Sequence, residues 1–220
     1  MKDSLEIVGI KEEIITWVET VIEAPNTILG SYPICPFAKQ ARLKGQIEIR
    51  VNQSSSLKSF IKSTIARCSN SNKVQLIVER DLVRWPVDSV DRLVSQINSD
   101  MADDDFILLY DHPAEPGVIG DVCTSNGKYL IIFVQSASEL NHAHSMMQAT
   151  GYYSVWTEAY YKKIVETRKN ERMLRVFLEI GDSTFNFLRM LKICKLNFVK
   201  ALEHKKHSPY LAESSPCRWF

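Results

Sequence analysis

A chain of 220 residues fits one domain of moderate size or one domain with an appendage, and 45% hydrophobic residues suffice for an ordinary core. With 27 basic and 26 acidic side chains the net charge is +1, which excludes an overall field steering the chain to nucleic acid or an acidic membrane. Five cysteines, at 35, 68, 123, 194 and 217, are spread too widely for a zinc site or a disulfide framework. Reduced thiols are expected. The polar start, Met1-Lys2-Asp3-Ser4, shows neither a signal peptide nor a membrane span, so a cytoplasmic location is the expectation.

In chain order, apolar residues at Ile7, Ile10, Ile14, Trp17/Val18 and Val21 predict a helix with one buried face, capped by Asp3 or Ser4 and ended by Pro25. A short helix opened by Pro36 follows. Gln46-Ile-Glu-Ile-Arg-Val51 alternates polar and apolar, as a strand does at a sheet edge or under a single layer. Ser54-Ser55-Ser56 caps a helix marked by Leu57, Phe60, Ile61 and Ile65, and Asn70-Ser71-Asn72 turns the chain into a second strand, 74–78. A helix after Pro86 carries Val90, Leu93, Val94 and Ile97 on one side. The apolar run 106–110 then reads as a central strand covered on both faces.

The loop 111–128 joins that strand to a fourth, 129–135; a loop of this length inside a compact domain is more often functional than decorative. Ser136 or Ser138 caps the next helix, Gly151-Tyr152-Tyr153 breaks it, and helical periodicity resumes to about Ile180. Gly181-Asp182 marks a boundary, and Ser183 or Thr184 caps a last helix to about His204. Two strand–helix–strand crossovers in succession predict an α/β fold with a mainly parallel or mixed four-stranded sheet flanked by helices, and a helical C-terminal third. An antiparallel, ferredoxin-like arrangement stays open because a loop joins the third and fourth strands. The expected division is an α/β domain over 1–180 and a basic amphipathic helix and tail over 181–220.

The segment from Tyr32 to Arg42 carries the leading candidate site. Pro36 at a helix start leaves backbone N–H groups and the positive end of the dipole facing Cys35, and Lys39 adds a cation one turn in, so this thiol is expected to ionise more readily than a free cysteine. In open α/β sheets ligands gather beyond the carboxyl ends of strands, where Asp111-His112-Pro113-Ala114-Glu115 begins. A helix from Pro36 to Leu43, about 12 Å long, can return Cys35 to that rim. His112 would then exchange a proton with the thiol, Glu115 or Asp111 would orient the ring, and Lys39 would hold an anion. Thr124, Ser125 and Asn126 supply groups for a polar ligand, although Asn126-Gly127 before a strand also reads as a plain turn. Alternatively, Asp111, His112, Glu115 and Asp121 ligate a metal, with His142 and His144 as remote candidates that point apart on a helix.

The Cys35-Pro36-Phe37 corner resembles the active-site corner of the glutaredoxin and glutathione-transferase branch of the thioredoxin superfamily, where such a corner opens a helix rich in Lys, Arg and Ala. Ala38 stands where a dithiol glutaredoxin has its second cysteine. The segments Ile34-Cys35-Pro36-Phe37-Ala38-Lys39, His112-Pro113 and Thr124-Ser125-Asn126 together resemble, in the same order, the motifs of an uncharacterised bacterial domain family over roughly residues 10–150. This similarity implies that Cys35, Lys39 and His112 form one constellation, and it implies no activity.

The expected function is that of a small cytoplasmic enzyme acting on a polar or anionic small molecule through Cys35, His112 and Glu115, with Lys39, Thr124, Ser125 and Asn126 binding substrate; no cofactor is named by the sequence. One alternative is a non-catalytic binding or accessory protein using its C-terminal region, where Lys192, Lys195, Lys200, Lys205 and Lys206 alternate with Phe187, Phe198, Trp219 and Phe220. That helix would dock on the body, on a second subunit in a homo-oligomer or on a protein partner. The other is a metal-dependent enzyme with an Asp/His/Glu site.

Overall fold

Apolar periodicity sets the layers. In chain order the elements are α1 (Lys2–Trp17, running into a π-helical turn, Val18–Ile22), α2 (Ala38–Leu43), β1 (Ile47–Val51), α3 (Leu57–Cys68), β2 (Val74–Glu79), α4 (Val87–Asp100), β3 (Phe106–Asp111), β4 (Val118–Ile119), β5 (Val122–Cys123), β6 (Leu130–Ser136), α5 (Ala137–Gln148), a 3-10 turn (Tyr152–Val155) and α6 (Glu158–Tyr161). The chain divides into two units, Met1–Ile164 and Val165–Phe220. The computed structural model describes residues 2–68, 73–101, 104–119, 121–162 and 165. The turn expected at 70–72, the helical pattern to Ile180, the boundary at Gly181 and the basic helix and tail lie outside the described residues.

The fold is α/β, with four main strands in the order β1-β2-β6-β3. β1 and β2 are parallel, while β6 is antiparallel to both β2 and β3. The three strands joined by α3 and α4 therefore all run one way, and β6 enters between the second and third of them. The sheet is mixed. This placement corrects one expectation: β3 is an edge strand, with only Leu108 of its six residues buried, and the centre belongs to β2 and β6. Five apolar residues in a row do not distinguish a central strand from an edge strand covered by a helix.

Helices cover both faces. On one, α1 sets Ile10, Ile14 and Val18 against Ile49 and Val51 of β1, Leu76 and Val78 of β2, and Ile131 of β6. On the other, α3 and α4 set Leu57, Ile61, Ile65, Val90, Leu93, Val94 and Ile97 against Ile77, Leu108, Leu130, Ile132 and Val134. The i, i+3, i+4, i+7 spacing of Val90, Leu93, Val94 and Ile97 gives α4 its apolar stripe. Full burial of each such side chain contributes about 1.5–3 kcal/mol.

Polar caps fix the ends. Ser136 accepts the Glu139 N–H at the start of α5, and the Asp105 carboxylate accepts from both Ser136 and Ser138, tying the start of β3 to that cap. Gly151, at φ 77°, takes the left-handed conformation that ends the helical run. Beyond it, Tyr152, Tyr153, Trp156 and Tyr161 pack edge to face on one another, with Tyr153 and Tyr161 against His144, and the Tyr152 hydroxyl donates to the Ile34 carbonyl. The segment leading to Cys35 is thus held by the last part of the unit.

Candidate functional site at the strand-end rim

The carboxyl ends of β1, β2 and β3 lie along one rim. Val51 is in register with Val78, Glu79 faces Leu130, and Asp111 faces Ile131. The chain leaves a polar residue there as each apolar run ends. Asn52 and Glu79 are both buried, and Asn52 Nδ2 donates to Glu79 Oε2 at 2.6 Å. Glu79 Oε1 accepts the backbone N–H groups of Arg80 and Asp81 at 2.8 and 2.9 Å, while Asn52 Oδ1 accepts from Ser54 N–H. The carboxylate joins the exits of two parallel strands. From α1, Glu6 pairs with Arg80, and Glu13 accepts from both Lys128 and the Tyr129 hydroxyl, which holds its carboxyl below the usual range.

At the end of β3, the Asp111 carboxylate oxygen accepts from Ser125 Oγ at 3.0 Å, from Asn126 N–H at 3.1 Å and from Asn126 Nδ2 at 2.7 Å. Burial nevertheless pushes the Asp111 carboxyl up, outweighing these bonds. Asn126 Oδ1 accepts from Lys128 and Tyr129 N–H, and Gly127 at φ 69° closes the turn. Thr124 donates through its hydroxyl to the Gly117 carbonyl. Asp111, Ser125 and Asn126, which the sequence names as orienting and ligand-binding groups, are thus brought together, with one Asp111 oxygen, the Ser125 hydroxyl and the Asn126 amide engaged in holding the loop.

His112 is 4% exposed, and both ring nitrogens are bonded to backbone. The Ala114 N–H donates to Nδ1 at 3.0 Å, so the ring proton sits on Nε2, which donates to the Trp85 carbonyl at 2.9 Å. The ring fastens the end of β3 to the segment leading into α4. Glu115 is exposed, and its N–H bonds to the His112 carbonyl.

Cys35 is bonded into a different part of the unit. Its N–H donates to the Ile22 carbonyl at 3.0 Å, and Ala38 N–H closes a turn onto the Cys35 carbonyl at 3.2 Å. α2 therefore begins two residues after Pro36. The sulfur does accept from the N–H groups of Phe37 and Ala38, yet burial outweighs them and the nearby Glu23 carboxylate adds to it, so the thiol stands above its ordinary 9.0. Cys35 is half-buried, and the direction runs against the expectation of an activated thiol, since desolvation outweighs the turn's donors and the charge that bears on the sulfur is an anion. Lys39 is exposed on α2. Glu23 itself is buried and gripped by Arg42, Nε to Oε1 at 2.6 Å and Nη2 to Oε2 at 3.1 Å.

Asp121 and His142 are exposed, whereas His144 is buried against Tyr153, so the two histidines face apart as helical spacing requires. Among the described residues no three His, Cys, Asp or Glu side chains are grouped to hold a metal ion. The sequence reading did not single out Asn52, Glu79, Glu23 or Arg42. For the first two a signal existed, since each is the first or last polar residue at the end of a parallel strand. Glu23 and Arg42 carry none, because their pairing depends on how α2 folds back.

No helix among the described residues is long and apolar enough to cross a membrane. Compared with known proteins, the chain matches no family model, no curated protein and no solved structure.

Proposed function

We propose that the chain works by binding rather than by catalysis, as an accessory protein whose basic stretch from Arg189 to Lys206 meets an acidic protein partner. One observation carries the preference over an enzyme: His112, the general base of the catalytic reading, spends both ring nitrogens on backbone groups. A base in use cannot take a proton from a thiol without breaking a buried bond, at about 1–3 kcal/mol for the group left unpaired. The raised thiol of Cys35 points the same way. The stretch carries Arg189, Lys192, Lys195, Lys200, Lys205 and Lys206 against one acid, Glu203, a local excess that the net charge of +1 conceals.

A second reading, an enzyme for a polar or anionic small molecule with Cys35 as nucleophile, is favoured by the two N–H groups aimed at the sulfur. Alkylation of the full chain across pH, with mass-spectrometric assignment of the modified thiols, separates the two. The binding reading expects Cys35 in the folded protein to react more slowly at neutral pH than in the unfolded chain. Faster reaction at Cys35 would return the assignment to the enzyme. In the same preparations, retention on immobilised polyglutamate should fall when Lys192, Lys195 and Lys200 are changed to Glu, and unchanged retention removes the basic stretch from the proposal.

A further inference from the structure

The two edges of the sheet are treated differently. On β3, Asp105 and its odd-numbered successors address β6, as the Ala137 N–H bond to the Asp105 carbonyl shows, so Leu108 turns its N–H and C=O outward. Both are taken by one side chain: Asn98 of α4 donates Nδ2 to the Leu108 carbonyl at 3.0 Å and accepts the Leu108 N–H on Oδ1 at 2.8 Å. This blunts the edge. On β1, the bonds from Val74 N–H to the Gln46 carbonyl and from Asn52 N–H to the Val78 carbonyl show that even-numbered residues address β2. Ile47, Ile49 and Val51 therefore present their N–H and C=O groups to the outside, and among the described residues no group is bonded to them there. The edge lies in a groove of about 530 Å³, flanked by Ile7, Lys11 and Ile15 of α1 on one face and Phe60 of α3 on the other.

We infer that this edge is an interface for a second copy of the chain, pairing β1 antiparallel to β1 of the partner about a two-fold axis at Ile49. The inference is independent of the C-terminal stretch. Charge pattern selects the occupant. Glu48 and Arg50 flank Ile49 on the face opposite α1, already pair with each other at 2.6 Å, and keep 39% and 22% of their side chains exposed. In the two-fold register Ile49 exchanges both hydrogen bonds with Ile49 of the partner subunit, and Ile47 does so with Val51 of the partner subunit. Glu48 then stands opposite Arg50 of the partner subunit, and Arg50 opposite Glu48 of the partner subunit, in the closer, non-hydrogen-bonded positions. A strand whose charges are self-complementary on reversal suits an isologous contact. The axis is perpendicular to the sheet, so the apolar groove residues of both α1 helices fall on the same face of the joined sheet. The other face pairs the charges.

The test is charge exchange on the full chain, read by sedimentation. Wild type is expected to associate to a dimer as concentration rises. Glu48→Arg alone, or Arg50→Glu alone, places like charges opposite each other and should weaken the dimer by roughly tenfold or more. Mixing the two single variants should restore association as a one-to-one heterodimer, and the double variant Glu48→Arg/Arg50→Glu should dimerise by itself. This rescue distinguishes a broken interface from a broken fold. A wild type that stays monomeric at all concentrations overturns the proposal. So does a dimer indifferent to the single exchanges, or single variants whose mixture and double variant stay monomeric.

Discussion

The side-chain amide of Asn52 donates to the carboxylate of Glu79 across 27 positions of sequence, and both residues are buried. The bond joins the exits of the two parallel strands and, with Arg80 and Asp81 on the other oxygen, gives both Glu79 oxygens a donor. Asn52→Ala deprives a buried carboxylate of one donor. A loss of about 1–3 kcal/mol is expected in urea unfolding. Ser54→Ala, which removes an exposed hydroxyl from the neighbouring turn, should cost no more than about 0.5 kcal/mol. Equal effects would mean that the rim bond is not specific.

The elements were legible wherever apolar spacing was strong: α4 with Val90, Leu93, Val94 and Ile97, the alternating edge strand β1, and the Ser136 cap of α5 all stand where the spacing puts them. Strand order was not. Nothing in Leu130–Ser136 says that it enters between β2 and β3 rather than beside them, because both its faces are covered in either arrangement. Of the candidate site, the grouping of three residues at the strand-end rim was legible. The rim does collect Asp111, Ser125 and Asn126. Sequence order cannot reveal that Ala114 and Trp85 consume the ring of His112, nor that Glu23 is held near Cys35 while Lys39 points into solvent, because those facts depend on side-chain partners chosen by tertiary packing.

His112 is expected to be a structural tie. His112→Phe fills comparable space but leaves the Trp85 carbonyl and the Ala114 N–H without their partner. Each unmade bond costs about 1–3 kcal/mol, so thermal unfolding should shift down by several degrees. In nitrogen NMR of the wild type, the ring should show the neutral tautomer with its proton on Nε2. A ring with its proton on Nδ1 would contradict the bonding pattern.

Asp111 links the rim to pH. Its folded carboxyl is raised above the ordinary 3.8 because burial outweighs the bonds from Asn126 and Ser125. The folded state then binds a proton more tightly than the unfolded state. The contribution is therefore fully favourable below 3.8 and is lost as pH rises through the folded value. Relative to Asp111→Asn, which cannot titrate, the wild type should lose stability across the window just above 3.8 and run parallel above it. Urea midpoints measured at closely spaced pH values check this, and an opposite slope would mean that the loop bonds outweigh burial.

Asn98 supplies the last expectation, because one side chain performs two separable tasks. Its amide satisfies both outward groups of Leu108, and by doing so it blocks the middle of the β3 edge to another strand. Asn98→Ala removes both bonds at a buried position of the strand, with an expected loss of about 1–3 kcal/mol. It also exposes a pair of backbone groups that can template a second chain. Stability and association should therefore move together in this variant: a lower urea midpoint, and self-association at concentrations where the wild type shows only the contact through β1. In an Asn98→Ala variant that also carries Glu48→Arg, the contact through β1 is weakened while the β3 edge stays open. Association that persists there locates the new contact at β3, and its disappearance would show that Asn98 serves the fold of the monomer alone.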